Sequence, residues 1–296
     1  MPRDTGTECD LTVRQISVTG SMTSMDGLAG TVIALAGTAG RMMLGTSPRI
    51  SVSKGSKENY ATETDLSIQA FLKKELLSAL PGSVFLGEEG TDRSMGELVW
   101  VVDPIDGTVN YARGLSMSVV SIALVKDGSP VLGIVLNPYL GETYHAEAGR
   151  GAYLNGVRIH VSDTPRENAL VSTAWCAYDK ELAHDSFLIS ETLHRECMDI
   201  RRFGTAAYEM CLLAKGSVDM YFEMLLRPWD YAASSLIVKE AGGSCSSLDG
   251  PLDLFDQCPV LAANSADNLE YLRETVISVA GDRRPEGSIW GDGSAR

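Results

Sequence analysis

Acidic residues at the ends of apolar segments are the feature of this sequence best suited to chemistry. In WVVDPIDGTVNY, residues 100–111, an apolar strand leads to Asp103, and Asp106 follows three residues later. Pro104 has no backbone N–H, so we expect the strand to end at Asp103. Two carboxylates at this spacing can converge on a hard divalent cation such as Mg²⁺, which prefers oxygen ligands. The alternative is structural: Asp103 ends a strand and Asp106 caps a helix.

Gly107 and Thr108 directly follow the second aspartate. A glycine allows the backbone to come close to a ligand. At the start of a helix, the amides of these two residues could bind the oxygens of a phosphate group. The segment therefore pairs a possible cation site with a possible phosphate site.

Further acidic residues lie at other predicted element ends. Glu88 and Glu89 come directly after an apolar strand in FLGEEG, and Asp230 stands at a helix start in RPWDYAA. Glu63 and Asp65 lie where the second predicted helix begins. Each has a capping or surface-charge explanation, which is favoured for Glu63 and Glu89. Carboxylates brought together would repel one another and take up protons unless cations neutralise them, so the group as a whole predicts bound metal.

The overall charge narrows the class of partner. Lys and Arg number 25 against 39 Asp and Glu, which gives a formal net charge of −14. Nucleic-acid binding depends on many cationic contacts, so direct binding of nucleic acid is disfavoured. A small phosphorylated metabolite would also be repelled unless its site carries local positive charge, which bound metal can supply.

The cysteines and the N-terminal region bear on location. Six cysteines include no CxxC pair, and the four histidines show no zinc-type spacing, so free thiols in a reducing cytosol are expected. Residues 1–20 lack a basic start followed by an apolar run, so no secretory signal is predicted. The apolar stretch 25–44 is interrupted by Asp26, Arg41 and several glycines, which favours a helix of a folded domain over a membrane span. The prediction is a cytoplasmic protein.

The elements that must position these residues form an α+β pattern. We predict tails at 1–21 and 281–296 around a single unit, 22–280. Helices are predicted at 26–43, 64–80, 185–196, 206–214, 231–241 and 266–279. Strands are predicted at 84–86, 98–102, 118–125, 131–136, 143–146, 157–161, 170–173 and 219–222, with a hairpin turn at 126–129.

Two long segments resemble the signatures of the inositol monophosphatase family. They are WVVDPIDGTVNY and WDYAASSLIVKEAGG, accompanied by GEE. Lys54, NYATETD at 59–65 and FGTAA at 203–207 occur in matching order, and the similarity runs from about Met25 to about Thr275. The resemblance implies a layered α-β-α-β-α sandwich, a homodimer, and two or three Mg²⁺ ions at one catalytic centre.

The resemblance also implies a set of metal ligands. Glu88 and Asp103, with the backbone carbonyl of Ile105, would hold the first ion. Asp103 would bridge to a second ion, which Asp106 and Asp230 also bind. A third, weaker ion would sit near Glu88.

Catalytic roles carry over in the same way. Water on the first ion would be the nucleophile, positioned and deprotonated by Thr108 and Glu88. Asp65 would support the Thr108 hydroxyl. The amides of Gly107 and Thr108 would hold the phosphate, and the second ion would stabilise the leaving alkoxide.

The resemblance implies that the first half of the unit, 22–160, binds metal and that the second half, 161–280, reads the substrate hydroxyls. The resemblance assigns ring hydroxyls to Glu223 and Asp230, with Ala206 lining the pocket through its backbone; Glu223 also has an alternative as an exposed strand-end charge. Arg227 and Val109 depart from animal inositol-specific members. Arg227 suits a second phosphate but equally a surface carboxylate, and the sequence does not decide between them.

The implied function is Mg²⁺-dependent hydrolysis of inositol monophosphate or a related sugar phosphate. The family also includes relatives acting on fructose 1,6-bisphosphate, 3′-phosphoadenosine phosphates, histidinol phosphate and the phosphate of NADP. DPIDGTVNY looks closer to the bacterial inositol monophosphatases. An alternative of a different class is a non-catalytic role in transcription antitermination, to which bacterial relatives have been linked. The intact ligand set favours the enzyme.

Overall fold

A computed structural model describes residues 25–46, 50–53, 60–90, 95–176 and 179–280. The helices in these ranges are α1 Met25–Gly45, α2 Glu63–Ala79, α3 Thr108–Ala112, α4 Ala183–Glu196, α5 Ala206–Ala214, α6 Pro228–Glu240 and α7 Ala266–Ala280. The strands are β1 Ile50–Ser53, β2 Tyr60–Thr62, β3 Val84–Gly87, β4 Leu98–Asp106, β5 Val119–Lys126, β6 Ser129–Asn137, β7 Glu142–Glu147, β8 Gly151–Leu154, β9 Val157–Ile159, β10 Leu170–Thr173, β11 Asp199–Arg201, β12 Met220–Leu226, β13 Ser244–Ser246 and β14 Cys258–Ala263. The tails predicted at 1–21 and 281–296 lie outside the described ranges, and the division into two halves stays a prediction.

The larger sheet has seven strands in chain order, β3 to β9. β3 and β4 run parallel and the remaining neighbours antiparallel. The predicted hairpin is confirmed: Lys126 pairs with Ser129, and Asp127 and Gly128 between them have φ of 48° and 74°. Positive φ at both central residues is the geometry that fits a two-residue turn to the twist of its strands.

The smaller sheet has five strands in the order β11-β10-β12-β14-β13. β10 is parallel to both of its neighbours, and β14 is antiparallel to both of its own. β14 was not predicted; it contains Pro259, a residue that is unusual in a central strand because it has no N–H to donate. In the structure the pairing with β12 is irregular between Glu223 and Leu226, opposite this proline, and so accommodates its missing donor.

Five layers result from the packing of the helices on these sheets. α1 and α2 cover one face of the larger sheet. α5 and α6 lie between the two sheets, and α4 and α7 cover the outer face of the smaller one. The predicted α-β-α-β-α sandwich is therefore confirmed.

The first helix, α1, is long and apolar enough to cross a membrane by length and composition alone. Its buried residues Leu28, Val32, Ala36 and Met43 pack into the core that α2 and the larger sheet share. A core helix passes the same test of length and composition, so this packing accounts for the apolar face.

Two boundaries differ from the predictions in ways that matter for the site. β4 does not end at Asp103 but continues to Asp106, with a bulge between these residues opposite β5. The bulge takes up Pro104, whose missing donor would otherwise break the ladder. α6 begins at Pro228, three residues earlier than predicted, because proline is well suited to the first helical position.

Candidate active site

Asp103 and Asp106 are the first two members of a buried carboxylate cluster. Both lie on β4, on either side of the bulge, and are 2% and 8% exposed. Oδ1 of Asp103 accepts a hydrogen bond from the Ile105 amide at 2.9 Å. The bulge therefore lets two aspartates three positions apart stand close together on one strand.

Asp106 is held from the second half of the chain. Its Oδ2 accepts hydrogen bonds from the Thr205 hydroxyl at 2.6 Å and the Ala207 amide at 2.8 Å, at the start of α5. Asp106 thus does cap a helix, but the helix is α5 and not the adjacent α3, whose N-cap is Gly107. The carboxylate satisfies α5 amides that have no partner within the helix.

Asp230 is the third member of the cluster. It is the third residue of α6, is 2% exposed, and accepts the Arg227 amide at 2.8 Å through Oδ2. A carboxylate in the first turn of a helix is stabilised by the amides and the dipole of that helix. The predicted placement at a helix N-terminus is confirmed.

The three aspartates form one site. One carboxylate oxygen from each of Asp103, Asp106 and Asp230 lies within 4.8 Å of the others. Burial raises the pKa of all three, and the pKa of Asp103 is raised further by the charges of Glu88, Asp106 and Asp230. Buried like charges at this separation are costly, and a divalent cation is the partner that removes the cost. An all-oxygen donor set fits Mg²⁺.

Glu88 and Glu89 follow β3 and lie differently. Glu88 is half-buried, outside the three-aspartate group but close enough for its charge to raise the pKa of Asp103. Glu89 is buried at 9% exposure, and its backbone is held by Gln69 on α2: the Gln69 amide donates to the Glu89 carbonyl and accepts the Glu89 N–H at 2.8 Å. The backbone of this loop is thereby fixed beside the cluster.

Gly107, Thr108 and Asp65 adjoin the cluster on its other side. Gly107 has φ of 85°, which favours glycine, and an added Cβ would lie 3.0 Å from the Met117 carbonyl. The Thr108 hydroxyl lies 3.2 Å from Oδ1 of Asp65 and 3.0 Å from the Ile105 carbonyl oxygen. Its single hydrogen bonds to one of these acceptors at a time, so its oxygen keeps lone pairs free to accept a bond.

Asp65 is itself positioned by the start of α2. Its Oδ2 accepts both the amide (2.9 Å) and the hydroxyl of Thr62, the N-cap residue of the helix. Burial raises the pKa of Asp65 to about 6, against the lowering effect of these bonds. The predicted helix start is confirmed, and it brings Asp65 to Thr108.

Glu223 and Ala206 lie on elements that reach the cluster from the smaller sheet. Glu223, on β12, is 5% exposed, and its Oε2 accepts the Tyr221 hydroxyl at 2.8 Å. It is therefore a buried carboxylate, and its alternative as an exposed strand-end charge is wrong. Ala206 is the first residue of α5 and is buried. The guanidinium of Arg227 lies over the ring of Trp229, 5.7 Å from its centre.

Several residues that build the site carried no signal of their own in the sequence. Thr205 and Ala207 fix Asp106, and Gln69 fixes the loop after β3. Thr205 and Ala207 fall within FGTAA, a segment that the sequence singled out without assigning either a role. Gln69 is one of many polar residues on α2, and no pattern distinguishes it.

Comparison with known proteins agrees with this geometry. The profile described as "Inositol monophosphatase family" matches residues 24–280. The chain belongs to the inositol monophosphatase family, a family of phosphatases.

Curated relatives of similar identity carry two different names. A protein of Xylella fastidiosa named "Nus factor SuhB" is 36% identical over 68% of this chain and 74% of its own length. The "Inositol-1-monophosphatase" of Mesorhizobium japonicum is 32% identical over 80% of this chain and 91% of its own length. The prediction that direct nucleic-acid binding is disfavoured is not supported by these relatives, some of which are named as Nus factors. It rested on the net charge of −14, which does not exclude a local basic patch.

Solved structures extend the agreement to the fold. "Thermotoga maritima IMPase TM1415" superposes with a TM-score of 0.77 at 30% identity, covering 84% of this chain and 96% of that one. "Inositol monophosphate bound SaIMPase-II" superposes with a TM-score of 0.70 at 27% identity, covering 86% of this chain and 99% of that one.

Proposed function

We propose that this protein is a Mg²⁺-dependent phosphomonoesterase that hydrolyses inositol monophosphate or a related small sugar phosphate. The observation that carries the proposal is the trio Asp103, Asp106 and Asp230, whose oxygens meet within 4.8 Å although all three are buried. Three buried negative charges without a counter-charge would oppose folding, and a bound cation would supply that counter-charge.

The cation ligands would be the carboxylates of Glu88, Asp103, Asp106 and Asp230 with the carbonyl of Ile105, for two or three ions. When bound there, Mg²⁺ lowers the pKa of a coordinated water and neutralises charge on the phosphate oxygens. In this proposal the three aspartates form the centre of the ligand set, and Glu88 from the loop after β3 and Ile105 from the bulge of β4 would complete it.

The chain's own residues orient the reaction. The Thr108 hydrogen is donated to Asp65 or to the Ile105 carbonyl, so the Thr108 oxygen keeps lone pairs that can accept a hydrogen bond from an attacking water. Glu88, half-buried beside Asp103, would accept the proton of that water. The amides of Gly107 and Thr108 would bind the phosphate, at a position where a side chain on Gly107 would clash with the backbone.

The substrate side rests on Glu223, Asp230 and the backbone of Ala206. A buried carboxylate held by Tyr221 suits recognition of hydroxyl groups, which is the chemistry of a polyol phosphate. Fructose 1,6-bisphosphate and other small phosphorylated metabolites are the alternatives of the same class. We also propose a homodimer in the cytoplasm, in line with the family resemblance and with free thiols at Cys176 and Cys211 among others.

The testing experiment measures phosphate release by the full chain with and without Mg²⁺. The panel holds inositol 1-phosphate, fructose 1,6-bisphosphate, 3′-phosphoadenosine 5′-phosphate and histidinol phosphate. Asp103→Asn is expected to abolish turnover. Asp219→Asn is the matched control, since Asp219 is also a buried aspartate but accepts bonds from Ser162 and the Leu170 amide in the smaller sheet. Release that does not depend on Mg²⁺, or that survives Asp103→Asn, would refute the proposal.

A regulatory role in transcription antitermination is the second candidate, supported by the relatives named "Nus factor SuhB". It predicts that Asp103→Asn, although inactive as a phosphatase, complements the loss of the gene in cells. Failure of the inactive variant to complement would leave the phosphatase as the function that matters.

A further inference from the structure

Glu209 is a fully buried carboxylate that the proposed mechanism does not use. It lies on α5, and its Oε1 accepts hydrogen bonds from three consecutive amides: Phe203 at 3.1 Å, Gly204 at 2.7 Å and Thr205 at 3.2 Å. Its Oε2 accepts the hydroxyl of Ser172 on β10. One side chain thereby ties the segment 203–205 to both α5 and the smaller sheet.

The 203–205 segment in turn contacts residues 106–110, which include the proposed metal ligand Asp106. The Thr205 hydroxyl donates to Asp106, and the Phe203 carbonyl accepts the side-chain amide of Asn110 on α3 at 2.7 Å. Every link from Glu209 to Asp106 is therefore a direct hydrogen bond or a peptide unit.

The same segment closes the back of the proposed phosphate site. A Cβ placed on Gly107 would lie 3.2 Å from the Cβ of Thr205 and 3.3 Å from the Gly204 carbonyl oxygen. The 203–205 segment is thus in contact with Gly107 as well as bonded to Asp106, so a shift of the segment would move both the metal ligand and the phosphate cradle.

A buried carboxylate at this position costs free energy unless hydrogen bonds compensate its loss of hydration. Burial raises the pKa of Glu209, although its four hydrogen bonds act in the opposite direction. The charge of Glu209 also raises the pKa of Asp106, so the two carboxylates repel across the segment. An apolar residue at this position would leave the three amides of the 203–205 segment without their Glu209 acceptor.

We propose that Glu209 is a positioning residue of the metal site, which acts through the 203–205 segment and Thr205 to fix the carboxylate of Asp106. This inference rests on the proposed function, since it assigns Glu209 a role at that same cation site. A carboxylate fixed through one oxygen loses less conformational entropy when its other oxygen binds a cation.

The test is the affinity of the purified full chain for Mg²⁺, measured by isothermal titration calorimetry in the absence of substrate. Glu209→Ala is expected to weaken binding by about 10–100-fold, the usual cost of losing a residue that orients a ligand. Glu209→Gln keeps an oxygen acceptor for the three amides and is expected to restore affinity to within about threefold of wild type. The Mg²⁺ concentration for half-maximal turnover should shift by the same factors.

Glu240 on α6 supplies the matched control. Its carboxylate also accepts two backbone amides, Gly149 and Gly151, each at 2.8 Å, in a turn of the larger sheet. Glu240→Ala should lower the free energy of unfolding and leave Mg²⁺ affinity unchanged. An equal loss of affinity in Glu240→Ala, or an unchanged affinity in Glu209→Ala, would overturn the proposal.

Thr205→Val removes the hydroxyl that donates to Asp106, so it tests the same connection if Glu209→Ala does not fold. It is expected to weaken Mg²⁺ binding, whereas wild-type affinity in this variant would show that the route through Thr205 is wrong. Absence of Mg²⁺ binding by the wild-type chain would refute the proposed function itself, which is a different outcome.

Discussion

Oδ1 of Asp65 and the Thr108 hydroxyl lie 3.2 Å apart, although 43 positions separate the two residues in the chain. Asp65 belongs to the capped start of α2, and Thr108 is the first residue of α3. The contact therefore joins the outer helical layer to the edge of the proposed metal site, and it gives the Thr108 hydrogen an acceptor beside the Ile105 carbonyl.

Asp65→Asn should impair catalysis more than stability. Whichever way the amide turns, its NH₂ group faces either Thr62 or Thr108 as a donor in place of an acceptor, so the network cannot be kept. We expect kcat to fall by about 10²-fold, a typical cost of disturbing general acid–base geometry. Thr62→Ala is the comparison, because it removes the N-cap hydroxyl at a cost of about 1 kcal/mol but keeps the bond from the backbone amide of residue 62 to Asp65, so we expect a smaller loss of kcat. Equal loss of kcat in both variants would show that Asp65 acts only as a cap.

Gly107→Ala should reduce activity through the backbone. An alanine at φ of 85° costs about 1–2 kcal/mol, and its Cβ would lie 3.0 Å from the Met117 carbonyl, so the turn must shift. Gly114→Ala also places alanine at positive φ, 68°, but nothing lies within 4 Å. We expect Gly107→Ala to lose more free energy of unfolding than Gly114→Ala because of this close contact, and only Gly107→Ala to lose at least about tenfold in kcat/KM. Equal activity of the two variants would argue against a phosphate site at Gly107.

Glu223 makes the metal-free protein less stable as pH rises. Burial, with charge from Glu209 and Asp106, raises its pKa from 4.5 to about 8, against the bond from Tyr221 and the charge of Arg202. Between those values the folded chain binds more protons at this site than the unfolded chain, so the free energy of unfolding falls with increasing pH. Each pKa unit corresponds to about 1.4 kcal/mol. Urea unfolding in EDTA at pH 5.5 and 8.5 should show Glu223→Gln gaining at least about 1.4 kcal/mol over wild type at the higher pH.

Glu142 provides a control for that measurement because its pKa is shifted the other way, so its contribution should stay constant between pH 5.5 and 8.5. Burial alone would raise its pKa, but hydrogen bonds from Tyr208, Tyr144 and Lys215 outweigh burial and lower it. Its contribution to stability is present above the ordinary carboxylate pKa and is lost as pH falls. Glu142→Gln should therefore lose more stability at pH 8.5 than at very low pH. Parallel pH curves for wild type and Glu223→Gln would contradict the assignment.

Periodicity predicted the helices well because their apolar faces are local in sequence. The limits of α5, Ala206–Ala214, and of the four-residue strand β10, Leu170–Thr173, were predicted to the residue, whereas β8, β11 and β13 were missed. β11 is defined by its pairing with β10 and β13 by its pairing with β14, and the local pattern reveals neither partner. The bulge in β4 was missed for a related reason, because its register is defined only against β5.

The residues of the candidate site likewise include some that the local sequence could predict and some that it could not. Residues proposed to carry chemistry could be found from their type and position: Asp230 lies in the first turn of α6 as predicted, and Asp103 was singled out although β4 runs on to Asp106. The residues that hold the site, such as Thr205 and Gln69, make their contacts across tens of positions, and so does Glu209 in its bond to Ser172. Nothing in the local sequence separates a buried positioning glutamate from an exposed one.

The two neighbouring glutamates after β3 should differ sharply in a direct comparison. The charge of Glu88 acts on Asp103, whereas the Glu89 backbone is held by Gln69 and its carboxylate lies outside the three-aspartate group. Glu88→Gln removes a charge from the cation site, so we expect kcat to fall by about 10²-fold or more and the half-saturating Mg²⁺ concentration to rise. Glu89→Gln is expected to change kcat by no more than about threefold, because the backbone bonds to Gln69 do not depend on the side chain. The measurement is phosphate release across a Mg²⁺ titration, with thermal unfolding of each variant as the check on folding. A complete loss in Glu89→Gln with a mild effect in Glu88→Gln would show that the proton acceptor and cation ligand is Glu89.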